Sequence, residues 1–425
     1  MADQAYNDTG LAHRSSGGSS GAAEAHHVHA ADEAPDMNTR QMEINLGPSH
    51  PAMHGTVKMD LVIDGETVVK ADPDIGFLHR GFEKEAERAT WTQVIPYTDR
   101  LNYVSPLLCN FGYALAVEKL LGVRAPRRAE YIRTIMGELS RICDHMTCIG
   151  ASAMELGSFT GFLYMVEARE MLWELIERVT GARLTVSYVR VGGVNKDLPD
   201  GWLEDVPAIM DKAFKLVDDF QALVQRNRIF IDRMAGVGEI SKEDAIAFGF
   251  TGPCLRSTGC DYDVRRAHPY FAYDELEFDV PVGSHGDNYD RYLVRMEEAR
   301  QSRRMVLEAM KKIPSGPVVI DDPRIVLPSK ERVYGTMEGL IGHFKLVIDG
   351  IKVPPGEVYA FVEGGNGELG FYIVSDGSGH PYKVHCRAPS FALMQALGQM
   401  LKGEQIADMV PTFGSINMIG GECDR

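Results

Sequence analysis

The chain has 425 residues, 44% of them hydrophobic, and a formal net charge of -16 at pH 7. That acidity excludes a nucleic-acid binder, whose surface must be basic to meet phosphates, and argues against direct docking on anionic lipid head groups. The length allows one large domain or two or three smaller ones, with enough apolar residues for a sizeable core. The charge reads first as a solvated acidic surface, ahead of salt adaptation or basic partners. None of the seven cysteines (Cys109, Cys143, Cys148, Cys254, Cys260, Cys386 and Cys423) forms a C-x-x-C pair or a zinc-like Cys/His cluster. With no secretion signal read at the N-terminus, reduced thiols in the cytoplasm are expected. No apolar run approaches the roughly 20 residues that cross a bilayer.

In chain order, residues 1–37 are rich in Ser, Gly, Ala and His and read as a disordered leader. His26, His27 and His29 lie in it without a scaffold that would hold a metal. Residues 38–75 read as an N-terminal β region. Its alternating apolar and polar positions predict strands over 58–63 and 67–70 around Asp64-Gly65. The loop before the first of them carries His50, Met53 and His54 between Gly47-Pro48 and Gly55, and loops held by a rigid sheet are common homes for ligand contacts. Residues 76–315 read as a helical core. Helices are predicted over 110–121, closed by Gly122, then 127–156, 162–179 ended by Thr180-Gly181, 206–228 and 290–312. Such lengths with short connections point to a bundle. Residues 316–425 change character to a C-terminal α+β region. A short helical turn is expected over 334–340, strands over 344–351, 358–362 and 370–375, a turn at Asp376-Gly377-Ser378-Gly379, and a closing amphipathic helix over 390–401. The fold class is therefore α+β, a central long-helix bundle with small sheets in its N- and C-terminal parts.

Single constellations carry limited information. Glu138, Arg141 and His145 share a helix face, and an ion pair leading to a histidine is the outline of a proton path. Spacing alone favours an exposed pair worth about 0.3–0.5 kcal/mol. His54 and Tyr103 can each donate a hydrogen bond and a proton to a carbonyl oxygen, which is what reduction of a quinone requires. Nothing in their spacing forces them together, and a His beside Gly is more often a turn residue, a Tyr in Leu101-Asn102-Tyr103-Val104 more often core. Arg80, Glu83, Lys84 and Glu87 read as the wet side of a helix start. Asp287, Asp290, Arg291 and Arg295 read as a structural ion-pair network opening a helix, with Asp290 able to cap it or favour its dipole. No nucleotide-cradling G-x-G-x-x-G or G-x-x-x-x-G-K-[ST] and no G-x-S-x-G elbow is present.

Taken in order, the strings are more specific. His50-Pro51-Ala52-Met53-His54-Gly55, Gly76-Phe77-Leu78-His79-Arg80-Gly81-Phe82-Glu83-Lys84 and Tyr97-Thr98-Asp99-Arg100-Leu101-Asn102-Tyr103 are followed by Thr251-Gly252-Pro253-Cys254-Leu255-Arg256 and Gly286-Asp287-Asn288-Tyr289-Asp290-Arg291-Tyr292. Met337-Glu338-Gly339-Leu340-Ile341-Gly342-His343-Phe344-Lys345, Cys386-Arg387-Ala388-Pro389-Ser390-Phe391 and Cys423-Asp424-Arg425 complete the series. The set, covering residues 40 to 425, resembles the D-type (49 kDa) subunit of proton-pumping NADH:quinone oxidoreductase, bacterial respiratory complex I. That family in turn resembles the large subunit of nickel–iron hydrogenases. Where those enzymes carry two C-x-x-C pairs, this chain reads Val94-Ile95-Pro96-Tyr97 and Ser415-Ile416-Asn417-Met418. Without thiolates a soft metal centre has no ligands, so a vacated metal cavity reused for quinone is expected, with no metal of the chain's own.

The resemblance implies a hydrogenase-large-subunit-like fold and a quinone site shared with the neighbouring B-type subunit, whose terminal 4Fe-4S cluster delivers electrons. It implies His54 and Tyr103 as head-group ligands with His50 and Met53 beside them, Glu155 as the acidic partner of His54, and Arg80 and Arg100 near that cluster. The B-type and C-type subunits, other peripheral-arm subunits and the H-type subunit of the membrane arm are the implied partners, at the cytoplasmic side of the bacterial plasma membrane. Competing readings are a hydrogenase relative, an assembly scaffold without a ligand, and a related module fed by ferredoxin or deazaflavin. Three places depart from the family pattern: Glu155 stands where most relatives have Asp, Thr185 where they often have His, and Gly364-Gly365-Asn366-Gly367 where Ala-Pro-Lys-Gly is usual. A threonine cannot bind a proton in the physiological range, so the potential of the neighbouring cluster should depend little on pH, as suits menaquinone. Redox titration of that cluster at several pH values is expected to show a nearly constant midpoint; a potential that moves clearly with pH contradicts the role given to Thr185.

Overall fold

The computed structural model describes residues 40–51 and 55–425, so the leader over 1–37 and the candidates Met53 and His54 lie outside the described residues. Strands β1 (Gln41–Leu46), β2 (Lys58–Asp64) and β3 (Thr67–Asp74) form an antiparallel sheet in that order. The sequence reading missed β1 as a separate strand. β2 and β3 turn through Gly65-Glu66, with Asp64 paired to Thr67 and Gly65 at φ 62°, the left-handed geometry that a two-residue hairpin loop demands. Met59, Leu61 and Ile63 alternate inward along β2, as a sheet with one covered face requires. Backbone hydrogen bonds fasten the hairpin to a late segment: Gly403 N–H donates to Val68 O (2.8 Å), Val68 N–H to Glu404 O (2.8 Å) and Ile406 N–H to Glu66 O (2.9 Å).

The helices follow their local signals. α1 (Phe82–Arg88) is short. α2 (Pro106–Leu121) opens on proline and closes on Gly122 in the left-handed conformation, while α3 (Arg127–Glu155) runs for 29 residues. α4 (Phe159–Thr180) ends on left-handed Gly181. A two-stranded pair, β4 (Val189–Arg190) and β5 (Gly193–Val194), precedes α5 (Trp202–Val224). The helix expected over 206–228 stops at Val224, and Asn227 caps a new short helix with its side chain. α6 (Asn288–Lys312) is capped by Asp287, whose carboxylate accepts the Asp290 N–H at 2.7 Å. Asp290 itself accepts from the backbone of Ser284 and His285.

Residues 344–348 of the strand expected over 344–351 are instead the end of helix α7 (Met337–Ile348). Met337, Leu340, Ile341, Phe344 and Ile348 recur at helical spacing, and Thr336 Oγ1 accepts the Gly339 N–H at 3.1 Å as a cap. Strands β6 (Gly356–Glu363), β7 (Glu368–Ser375) and β8 (Lys383–Arg387) make a second antiparallel meander. The chain ends in α8 (Pro389–Met400), α9 (Met409–Ile416) and α10 (Gly420–Asp424). One large core joins α2 to α6 with the second sheet. A second core packs Met59, Leu61 and Val68 of the N-terminal sheet against Leu397, Met400 and Phe413. This is an α+β fold in which the two ends of the described chain interlock.

Packing overturns the expectation of an exposed Glu138–Arg141 pair. α3 is covered around its circumference, and Glu138, Arg141 and His145 are fully buried. Glu138 accepts from Arg141 Nε (3.2 Å), Arg265 Nη1 (3.2 Å), Tyr273 Oη (2.6 Å) and Ser302 Oγ (2.6 Å). Burial alone would raise its pKa, but Arg141 and Arg265 outweigh that and hold it below the ordinary value. His145 Nε2 lies 2.9 Å from Glu298 Oε2, and burial, the largest influence, pushes the imidazole pKa down. Arg256 sits among Asp263, Glu298 and Glu363 at 3.5, 2.5 and 3.0 Å. Those three carboxylates are the one acidic, His or Cys set among the described residues close enough to share a metal ion; here a guanidinium contacts all three. Removing one partner of a buried pair strands the other charge, at about 3–5 kcal/mol. Arg265→Met should therefore lower stability by about 3–5 kcal/mol, read by denaturant unfolding of the purified chain, because it strips a cation from both Glu138 and Asp263. A change within about 0.5 kcal/mol, as is usual for surface sites, would contradict the account.

Candidate functional site

Five segments far apart in sequence converge at one end of α3. The first is the loop over 98–105, fastened from below by Asp144 of α3. Asn102 Nδ2 and Ser105 Oγ donate to Asp144 Oδ2 at 3.0 and 2.6 Å, while Asn102 Oδ1 accepts the N–H groups of Val104 and Ser105. Tyr103 sits between those two anchors, half-buried. Burial is the main reason its phenol pKa is raised; Asp144 raises it further and Arg80 opposes. The phenol therefore holds its proton firmly while lying within the field of one cation and one anion.

The second segment is the 75–81 turn. Its backbone N–H groups at Gly76 and Leu78 donate to the Asp424 carboxylate at 2.9 and 2.7 Å, and His79 Nδ1 lies 2.8 Å from Asp424 O. This places Arg80 so that its Nη2 donates to Arg100 O at 2.5 Å, and Arg100 Nη1 in turn donates to Pro96 O. Arg80 and Arg100 are thus neighbours, both exposed. The third segment is α10, which closes over them. A Cβ on Gly421 would lie 2.4 Å from Arg100 O and 3.2 Å from Arg80 Nη2, so only glycine allows this approach.

The fourth segment joins the end of α9 to Asp144. Asn417 Nδ2 donates to Asp144 Oδ1 at 3.0 Å and to Asn366 Oδ1 at 2.7 Å. The stretches that stand where hydrogenases have C-x-x-C pairs are Val94-Ile95-Pro96-Tyr97 and Ser415-Ile416-Asn417-Met418. Asp144 thus ties the second of them to the loop that directly follows the first. Glu155 lies at the last position of α3, half-buried, and a Cβ on Gly414 of α9 would sit 2.5 Å from its Oε2. The fifth segment comprises residues 47–51 and 55–57. A Cβ on Gly47, at φ 102°, would strike Val57 O at 2.2 Å, and Gly55 faces the Met418 methyl. His50 is half-buried on this loop.

Of the expected site residues, Arg80, Arg100 and Tyr103 are brought together, Glu155 stands at the nearby helix end, and His50 is on the flanking loop. Sequence reasoning missed Asp144, Asn417 and Gly421. Asp144 lies inside an unbroken helical pattern, and no local signal separates it from any other acidic helix position. A cavity of about 450 Å³ opens on the outer side of the 75–84 segment, lined by Ile75, His79, Lys84, Phe391, Asp424 and Arg425 among others; Tyr103 does not line it. No helix among the described residues is long and apolar enough to cross a membrane.

Comparison with known proteins gives the family. Residues 155–425 match the family described as respiratory-chain NADH dehydrogenase, 49 Kd subunit. The D-type subunit of NADH-quinone oxidoreductase from Myxococcus xanthus is 55% identical over 399 residues, 94% of this chain and 96% of the relative. The D-type subunit numbered 1 in Sorangium cellulosum is 59% identical over 396 residues, 93% of this chain and 98% of the relative. A Bdellovibrio bacteriovorus relative, whose name joins the C and D types in one chain, is 50% identical over 389 residues, 92% of this chain and 70% of that longer protein. With a family match over well over half its length and relatives aligned nearly end to end, the chain belongs to the 49 kDa subunit family of respiratory complex I, the D-type subunits of NADH-quinone oxidoreductase.

Proposed function

We propose that this chain forms the quinone-reduction site of the complex together with the B-type subunit, as a peripheral-arm component at the cytoplasmic side of the membrane, and that quinone reduction here is coupled to proton translocation. The observation that carries the reading is the Tyr103 loop: a half-buried phenol, locked on both sides to Asp144 and flanked by the linked pair Arg80 and Arg100. The 4Fe-4S cluster of the B-type subunit supplies the electrons. The phenol of Tyr103 and the imidazole of His54 donate hydrogen bonds to the two quinone carbonyl oxygens, which grow negative as electrons arrive. Donors aimed at developing charge lower that barrier. Each then passes its proton to the oxygen it holds. A phenol with a raised pKa keeps its proton until the acceptor becomes strongly basic, so the proton follows the electrons rather than preceding them. Glu155, the acidic partner that the resemblance implies for His54, stabilises the charged imidazole and feels the charge change when its proton leaves. We infer that this local change starts the signal to the membrane-embedded subunits, because no described helix of this chain is long and apolar enough to cross a membrane.

Partner subunits are expected to cover several faces. The name of the fused C/D relative supports the C-type subunit as one neighbour. The B-type subunit is inferred at the Arg80 and Arg100 side, where two exposed guanidiniums suit an electron-accepting iron–sulfur centre. The H-type subunit is the inferred contact to the membrane arm. On helix α7, Met337, Phe344, Val347 and Ile348 are each more than half exposed, an apolar face of the kind that marks an interaction site.

Tyr103→Phe keeps the ring and removes the hydroxyl. Loss of one donor of this type is worth about 10²–10³ in turnover, so the assembled complex should form normally and lose NADH:quinone activity by about that factor. Turnover at the wild-type rate with a native quinone would remove Tyr103 from the mechanism. His54→Ala should reduce activity less uniformly across quinones, since water can take the place of one donor.

A further inference from the structure

The interior handles most of its acids in one way. Glu118 meets Arg133, Glu138 meets Arg141 and Arg265, and Glu298 and Glu363 meet Arg256. Asp144 and Glu422 are treated otherwise. Both are almost wholly buried, and neither makes an ion pair among the described residues. Asp144 accepts from three neutral side chains, Asn102, Ser105 and Asn417. Glu422 accepts the Ser390 N–H at 3.1 Å.

A continuous run of neutral groups joins the two. Asn417 Nδ2 donates to Asp144 Oδ1 and to Asn366 Oδ1, Asn366 Nδ2 donates to Ser390 Oγ at 3.3 Å, and the Ser390 backbone N–H reaches Glu422. Two carboxylates in a packed interior, linked by amides and hydroxyls with no cation between them, resist carrying two full charges. The groups facing Glu422 do little to relieve this. Asp144 of α3 repels it, Arg387 of β8 favours its charge more weakly than burial, Asp144 and Ser390 act on it, and Ser390 of α8 supplies neutral hydrogen bonds. The neighbouring thiols of Cys109 on α2 and Cys386 on β8 are pushed far up by burial and stay neutral. At the end of its own helix, Glu422 shares the field of Cys423 with Asp424 and with Arg425 just beyond it.

We propose that Asp144 and Glu422 form a two-carboxyl site holding one proton behind Tyr103, with Glu422 the group that binds and releases it. This rests on the reading of Tyr103 as a proton donor to quinone. Burial first, with Asp144 adding to it, pushes the Glu422 pKa up to about 7, so the site changes charge near neutrality. When Tyr103 gives its proton to the quinone, the phenolate left behind faces Asp144, whose charge already opposes ionisation of that phenol. With Glu422 protonated, the site bears one negative charge and the phenolate is tolerated. With Glu422 ionised, it bears two, and proton donation by Tyr103 is disfavoured. Glu422 is thus a positioning residue in the electrostatic sense: it touches neither quinone nor Tyr103 and acts through Asp144.

The test uses the complete complex in native membranes, following NADH:quinone turnover against pH together with the redox-induced infrared difference spectrum. In the wild type, turnover should contain a component that falls as pH rises through about 7, and the spectrum should contain a protonated-carboxyl band. Glu422→Gln, an isostere that cannot ionise, should lose that pH component and that band. An unchanged pH component and an unchanged band in Glu422→Gln overturn the proposal. Glu422→Asp, which keeps an acid but withdraws it, should retain the component with a displaced midpoint, so an undisplaced midpoint also overturns it and keeps the idea testable should the Gln variant fail to assemble. Tyr103→Phe separates the two readings. Full turnover in that variant defeats the donor role itself, whereas lost turnover there with an intact pH component in Glu422→Gln defeats the Glu422 assignment alone.

Discussion

A 29-residue helix with almost no wet side sets the terms for the rest of the molecule. α3 carries Glu130, Arg133, Glu138, Arg141, Asp144 and His145 into an interior where an unpaired charge is costly by several kcal/mol. Glu130 meets Arg124 and Arg127 close by, but the others reach partners in other segments. Arg133 reaches Glu118 and the carbonyls of Arg190 and Gly193. Arg141 donates to the carbonyls of Glu363 and Gly364, and Asp144 draws in Asn102, Ser105 and Asn417. The second sheet, the Tyr103 loop and the chain's final helices are therefore positioned by polar demands issuing from one helix. Apolar packing brings these segments close, and the hydrogen bonds to α3 select which residues face which.

That division explains what could be read from the sequence. Helix ends at Gly122 and Gly181 were legible because a left-handed glycine is a local event, decided within one turn. The β2–β3 hairpin was legible for the same reason. The burial of Glu138 and Arg141 was not, because i, i+3 spacing says that two charges share a face and nothing about what covers that face. The run over 344–351 was misread because Phe344-Lys345-Leu346-Val347-Ile348 taken alone looks strand-like, whereas its helical period appears only when counted from Met337. At the site, ordered motifs gave Tyr103, Arg80 and Arg100 as candidates through family resemblance. Their convergence depends on contacts across more than 300 residues, such as Gly76 and Leu78 to Asp424, and no window of sequence contains that information.

The surface and the interior use charge differently. The formal charge of -16 resides mostly on solvated acids, where pairs such as Arg228–Asp232 add little. Inside, charges of both signs are interleaved so that guanidiniums sit among carboxylates, as Arg256 does among Asp263, Glu298 and Glu363. Between the Tyr103 loop and the end of α9, Asp144 is met instead by the neutral side chains of Asn102, Ser105 and Asn417, and one turn further along α3 the Cys148 thiol lies 3.7 Å from Gly414 O.

Glu155 illustrates how two helices fix one acidic group. Its carboxylate stands on two methylenes, and on a crowded helix end that reach needs space. α9 supplies it at Gly414: a Cβ there would stand 2.5 Å from Glu155 Oε2 and 3.1 Å from Ser152 Oγ, so an alanine at that position would have to displace the carboxylate. The glycine is in a helix interior, where it lowers stability by roughly 0.5–1 kcal/mol relative to alanine. A residue that is locally unfavourable and sterically required points to the acid being accommodated by its neighbour. The acidic group at the end of α3 is thus kept at the price of helix propensity in α9, and its position is set jointly by the two helices.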